Sequence, residues 1–239
     1  MMRIVSLVIG IAIALAVPLV LAVNGLRLVT NERYVEALYE RGGVPADRYG
    51  LSTEERRALA LVGLRSIQPG SAGIDLLRGA TLASGDPAFN ARELSHMEDV
   101  RRVLAQAYRV QIVVVLVIAA LAVLLGLRRS TRTVVPVALA RGAVLTLALA
   151  IAIPLVGLIS YDSFETWFHS LFFEGDTWRF AETDTLRRLY PDRFWLDTAI
   201  VIGLLAVLQA LLVLFLARLW ARRAGARKAL GLSARTQGT

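Results

Sequence analysis

Four stretches of this chain are almost free of charge: Ile4–Val23, Val110–Leu127, Val134–Ile159 and Leu196–Ala217. A helix needs about 18 or more apolar residues to cross a hydrocarbon core roughly 30 Å thick, and each run meets that length. Helices buried in a soluble protein keep a polar stripe, and these runs have none. The pattern therefore predicts four membrane spans, at 1–23, 110–127, 134–159 and 196–217. The first has the opening of a signal peptide, but its apolar run is long for one and contains Pro18, so it reads as a retained span.

Between the spans the period changes. In segment 24–109, Tyr34, Val35, Leu38 and Tyr39 fall at helical spacing over Asn31–Arg41, which Gly42-Gly43 ends. Ser52-Thr53-Glu54-Glu55 opens a second helix in the manner of a capping box, running to Ile67 before Pro69-Gly70. A short piece over Ala72–Leu82 and a turn at Gly85-Asp86-Pro87 follow. From Ala91, apolar Leu94, Met97, Val100, Val103 and Leu104 recur three and four apart, and no breaker separates them from the second span. One helix from Arg92 to Leu127 is expected. A tight loop at 128–133 joins spans two and three, an aromatic loop covers 160–195, and a tail covers 218–239. The fold class is an all-α membrane protein: four transmembrane helices with a small, mostly helical extracellular cap.

Composition agrees, with 56% hydrophobic and 19% charged residues and a mean hydropathy of +0.58. The absence of cysteine excludes disulfides, thiolate nucleophiles and cysteine-ligated metals. A net charge of +8 would suggest nucleic acid if read alone, but its distribution says otherwise. Arg3, Arg128, Arg129, Arg132, Arg141, Arg218, Arg222, Arg223, Arg227, Lys228 and Arg235 carry eleven positive charges with no acid among them. The other two connecting segments hold all nineteen acids. Positive charge is retained in the cytoplasm beside spans. Both termini and the 128–133 loop are thus expected inside, the cap and aromatic loop outside, and the partner is membrane lipid rather than nucleic acid.

Eleven of the eighteen aromatic residues lie between Tyr161 and Trp195. An interfacial belt explains some of them; an apolar pocket for a lipid-like substrate, built from Trp167, Phe168, Phe172, Phe173, Trp178 and Trp195, explains more. Phe164, Phe168 and Phe172 would share one helical face. His169 sits in this run with Glu165 one turn earlier, placed to orient its ring. The chain's other histidine, His96, has Glu93 and Asp99 one turn to either side. Glu-x-x-His on a helix builds di-iron sites, but these need the motif twice, and it occurs once. A mononuclear metal site on His96, His169 and a carboxylate stays open, as does a solvated, acid-capped helix face. A transport pathway fits poorly, since Gln209 is nearly the only strongly polar residue within the runs.

Two passages carry a family resemblance. One is Phe89-Asn90-Ala91-Arg92-Glu93-Leu94-Ser95-His96-Met97-Glu98-Asp99-Val100. The other runs from Trp167-Phe168-His169-Ser170-Leu171-Phe172-Phe173-Glu174-Gly175-Asp176-Thr177-Trp178 to Tyr190-Pro191-Asp192-Arg193-Phe194-Trp195. Together they resemble the bacterial lipoprotein intramolecular transacylases, four-helix membrane proteins with an extracellular cap, over nearly the whole chain. The resemblance implies an acyltransferase that moves the sn-2 acyl chain of a diacylglyceryl-cysteine to that cysteine's α-amine, giving a lyso-form lipoprotein. It places the two catalytic histidines on His96 and His169; the neighbouring acids Glu93, Asp99, Glu165 and Asp176 are expected to support them. Arg92, Arg179 or a tryptophan N–H would stabilise the oxyanion. No cofactor and no metal are called for, and a monomer is expected. A non-catalytic lipid-binding protein and a mononuclear metal-dependent lipid hydrolase are the alternative functions. A shared site needs the histidine side chains within about 8 Å of each other, a reach set by direct or water-bridged hydrogen bonding through a substrate. Yet His96 would stand about 20 Å above Val110 on a straight helix.

Overall fold

The structure, a computed structural model, describes residues 2–128, 130–173 and 175–236, without the side chains of residues 2, 157–159, 161, 162 and 226–236. Arg129 and Glu174 therefore lie outside the described residues, as do the side chains of Tyr161, Arg227, Lys228 and Arg235. The regular elements are α1 (Met2–Val29), α2 (Glu32–Glu40), α3 (Thr53–Ile67), α4 (Asp75–Arg78), α5 (Ala91–Gly126), α6 (Val134–Ile159), α7 (Tyr161–Ser170), α8 (Thr185–Leu189) and α9 (Asp192–Thr236). The only extended pairing among the described residues is an isolated bridge between Thr81 and Pro87.

Among the described residues four helices are long and apolar enough to cross a membrane, α1, α5, α6 and α9, in the order the apolar runs predict. Two outgrow their runs, α1 reaching Val29 and α9 spanning Asp192–Thr236, because the Leu-, Ala- and Arg-rich flanks favour helix. The unbroken helix expected before span two is present as α5. Its 36 residues would extend about 54 Å, well beyond a core of roughly 30 Å. The apolar half from Val110 onward has the composition for the crossing, whereas the half up to Arg109 carries Arg92, Glu93, Glu98, Asp99, Arg101 and Arg102.

The chain forms two compact units. The first comprises 1–25, 110–155 and 203–239. Here α1, α6 and α9 meet at Val17, Leu21, Ala143 and Ala210, and α1, α5 and α6 at Ile13, Val135 and Ala138. Small residues permit this close approach: a β-carbon on Gly142 would fall 2.6 Å from Val17 Cβ. Leu15, Leu116, Leu204, Leu208 and Leu212 are more than half exposed, a lipid-facing surface. Gln209 is not alone among them. Asn24 donates to Gln209 Oε1 (3.0 Å) and accepts from Gln111 (2.6 Å), so three spanning helices share one amide cluster.

The second unit comprises 26–109 and 156–202. Its core gathers Val35, Tyr39, Leu59, Leu64, Leu77, Phe89, Met97, Leu186, Leu189 and Phe194. Asn31 and Ser52 cap α2 and α3 as their sequence positions predict, accepting from Tyr34 N and Glu55 N (both 3.1 Å). Of Ala72–Leu82 only Asp75–Arg78 is helical; the remainder turns back on itself, with Ala88 N donating to Ala80 O (2.9 Å). The aromatic loop is bolted into this unit at several points. Tyr39 donates to Leu189 O and Tyr190 to Ala60 O (both 2.7 Å). Arg188 pairs with Asp47 (2.8 Å), and that guanidinium holds the Asp47 carboxyl down at about 2.

Candidate active site

Asn90 begins α5 with a reciprocal cap. Its Oδ1 accepts from Glu93 N (3.1 Å), and Glu93 Oε2 accepts from Asn90 N (2.7 Å), the arrangement of a capping box. The other oxygen, Glu93 Oε1, accepts from Leu186 N (2.6 Å) at the start of α8. Glu93 is 1% exposed. That burial pushes its carboxyl pKa up, while the backbone donors pull against it. Asn90 Nδ2 donates to Asp184 Oδ1 (2.9 Å), whose other oxygen accepts from Ala181 N (2.8 Å). These bonds clip 181–186 to the start of α5. Phe180, one residue ahead, comes to rest edge-on to His96, ring centroids 5.3 Å apart.

The second histidine arrives on α7, whose cap Ser160 accepts from Ser163 N (3.3 Å). His169 occupies the last turn. After Ser170 the backbone curls, Phe172 N and Phe173 N both donating to His169 O, and Gly175 takes φ +67, a conformation only glycine adopts at no steric cost. The chain then doubles back and lays Trp178 flat on the imidazole, centroids 4.3 Å apart and planes 13° from parallel.

The two histidine rings end 6.5 Å apart, within the expected reach. Phe173 lies against both, 5.0 Å from His96 and 5.8 Å from His169. His169 Nδ1 is 2.8 Å from the main-chain oxygen of Glu165. A carbonyl can only accept, so Nδ1 carries a hydrogen and, in the neutral ring, Nε2 keeps its lone pair. His96 differs. Burial, and next the nearby His169, hold its pKa down to about 4, with Asp99 pulling weakly upward, so its imidazole is neutral at physiological pH. His96 Nδ1 and Thr177 Oγ1 are buried without a hydrogen-bond partner, an uncommon state for buried polar atoms.

Several sequence expectations change. It is the backbone of Glu165, not its carboxylate, that orients His169. The carboxylate of Glu93 accepts from main-chain N–H groups of Asn90 and Leu186, because the cap and α8 supply donors in line with each oxygen. Asp99 pairs with Arg102 (3.2 Å) and Asp176 with Arg179 (3.3 Å). Arg92 donates to Arg179 O (3.3 Å) on exposed surface, and the Arg179 guanidinium lies 5.1 Å over Trp178. Phe172 falls beyond the end of α7, so Phe164, Phe168 and Phe172 do not share one helix face; their rings still form a chain at 6.3 and 5.2 Å. Phe168 stands edge-on to His169 at 5.6 Å. Trp167 packs on Phe164 (6.0 Å) and Trp195 on Phe194 (5.5 Å), both about half exposed, and neither has a ring contact with a histidine among the described residues. Phe180 and Thr177 join the site only through the tertiary structure; the aromatic density around His169 is the one sequence signal that includes Phe180. Among the described residues no three His, Asp or Glu side chains converge as metal ligands would.

A cleft of about 630 Å³ lies on the other side of α5, lined by Leu94, Ser95, Asp75, Arg78, Glu98 and Arg101 among others. Its charges are paired internally, Arg78 with Asp75 and Arg101 with Glu98, and neither histidine lines it.

Residues 76–195 match the family model described as lipoprotein intramolecular transacylase Lit. An uncharacterized protein of Aquifex aeolicus is 31% identical over 190 residues, which cover 79% of this chain and 83% of that protein. Among solved structures, the membrane integral lipoprotein intramolecular transacylase Lit from Bacillus cereus superposes with a TM-score of 0.70 at 21% identity, over 92% of this chain and 96% of that one. A variant of the same protein with one histidine replaced by alanine gives a TM-score of 0.70 at 18% identity, over 93% and 96%.

Proposed function

The chain belongs to the lipoprotein intramolecular transacylase (Lit) family, and on that premise we propose that His96 and His169 are its catalytic pair, with His169 the proton carrier. The enzyme is a membrane-integral acyltransferase. It transfers the sn-2 acyl chain of diacylglyceryl-cysteine to the α-amine of the same cysteine, leaving a lyso-form lipoprotein.

In this transfer a C–N bond forms at the ester carbonyl, the C–O bond to glycerol breaks, and one proton moves from nitrogen to the departing oxygen. His169 Nε2 takes that proton and returns it to the glyceryl oxygen. The observation that carries the assignment is the Nδ1 hydrogen bond to Glu165 O, which leaves Nε2 as the basic nitrogen. Stacked Trp178 and the C-terminal end of α7 face the positive charge the ring bears in between. His96, neutral, donates its ring N–H to the carbonyl oxygen as negative charge develops there, with the Thr177 hydroxyl as a second donor. Both reacting groups belong to one molecule, so folding them together over the aromatic floor gains effective molarity. The exposed rings of Trp167, Phe168 and Phe172 take up acyl chains, while Glu93 positions the segment carrying Phe180.

The charge distribution supports both termini in the cytoplasm and the cap and its histidines at the outer face; a monomer is the proposed working unit. Mass spectrometry of a diacylated reporter lipoprotein tests the reading. With the enzyme, one acyl chain moves onto nitrogen at constant mass; H96A and H169A each lower the rate at least about 100-fold, the usual scale of acid–base catalysis. Full activity in both variants, at wild-type abundance in the membrane, would overturn it.

A further inference from the structure

The first unit contains eleven basic residues and not one aspartate or glutamate. Most of these charges flank the spans, where a topology signal is read. Arg141 does not. It lies seven residues into α6, about 10 Å along the helix from its start, where no topology signal is required and a bare guanidinium is costly.

Arg141 lines a groove of about 370 Å³ together with Arg218 of α9; Val137, Val144, Leu214 and Ala221 supply apolar wall. The groove thus combines two cations with a hydrocarbon surface. No carboxylate side chain of this unit supplies the counter-charge. Phosphate matches a guanidinium fork, and arginine side chains of this length reach from an apolar wall toward the headgroup level. A free anion would satisfy the arginines but leave the wall uncovered. An acyl chain covers it.

We infer that this groove is a binding site for one anionic diacyl phospholipid, its phosphate held between Arg141 and Arg218 and an acyl chain lying along Val137, Val144 and Leu214. The site shares no residue with the histidine centre and holds a structural lipid, not a substrate. Each basic side chain near an anionic surface strengthens binding modestly, and two of them together predict a preference of roughly 30-fold for the anionic over the zwitterionic lipid.

The test uses the full chain purified in a neutral detergent. Native mass spectrometry in mixed phosphatidylglycerol and phosphatidylcholine should retain one phosphatidylglycerol per protein with that preference, and phosphatidylglycerol should raise the unfolding temperature. R141Q and R218Q should lose both effects; R222Q, one turn beyond Arg218 and outside the groove, should keep them. Equal retention of the two lipids by the wild type overturns the proposal without recourse to any variant. So does an equal upward shift with inorganic phosphate, or an undiminished lipid effect in R141Q and R218Q.

Discussion

Trp178 lies nearly parallel to the imidazole of His169 at 4.3 Å, although the two are nine positions apart in sequence. The contact exists because Gly175 reverses the chain between them. An indole face stabilises a cation by about 1–2 kcal/mol when partly desolvated, so W178A should lower turnover about tenfold with little change in KM. W178F, which keeps a smaller face, should retain an intermediate rate. Single-turnover kinetics on a reporter lipoprotein would separate the two; a pure KM effect would make Trp178 a binding residue instead.

Glu93 joins the start of α5 to Leu186 through its two carboxylate oxygens. Replacing it with glutamine sets an amide N–H₂ against one of two buried backbone donors. E93Q should cost about 2–3 kcal/mol, the cost of leaving a buried group unpaired, measured as a lower unfolding midpoint. Activity should fall with it, since Phe180 and His96 depend on that clip. A stable E93Q protein of normal activity would show that the clip is dispensable.

His96 is held neutral in the folded protein down to about pH 4 against an ordinary 6.5. Above pH 6.5 the folded and unfolded chains bind the same proton count at this residue. Between about 6.5 and 4 the unfolded chain takes up a proton that the folded chain refuses, so stability falls as pH falls through that window. The unfolding midpoint of the wild type should drop across it. In H96Q the drop should be smaller, and an identical pH profile would contradict the assigned environment.

Gly142 lets α6 approach α1. A β-carbon there would meet Val17 Cβ at 2.6 Å and Ala14 O at 2.8 Å, neither of them a flexible side-chain tip. G142A should destabilise the protein by about 1–3 kcal/mol, as overpacking does. V17A should rescue it only in part, because it removes the γ-carbon contact while the β-carbon of position 17 and the backbone oxygen of Ala14 remain. Complete rescue would assign the whole clash to the valine γ-carbons.

Much of the architecture follows from the sequence taken alone. Four apolar runs demand four spanning helices because hydrocarbon offers no partner to a backbone N–H. Asn31 and Ser52 mark helix starts because a side-chain oxygen there meets an N–H only two or three residues on. The unbroken period from Ala91 sets one helix through Gly126 for the same local reason. His96 and His169 stand out in the sequence because one lies in the aromatic run and the other between acids one turn away. None of this says what Glu93 touches. It is three residues from His96 and 93 from Leu186, yet its bond is to Leu186, since hydrogen-bond direction depends on where a distant loop is anchored. The same holds for the tautomer of His169, fixed by a main-chain oxygen, and for Gly142, required by a neighbour 125 positions away at Val17. Periodicity encodes which side of an element faces lipid or core. Which group it meets there is decided only when chain closure brings remote segments together.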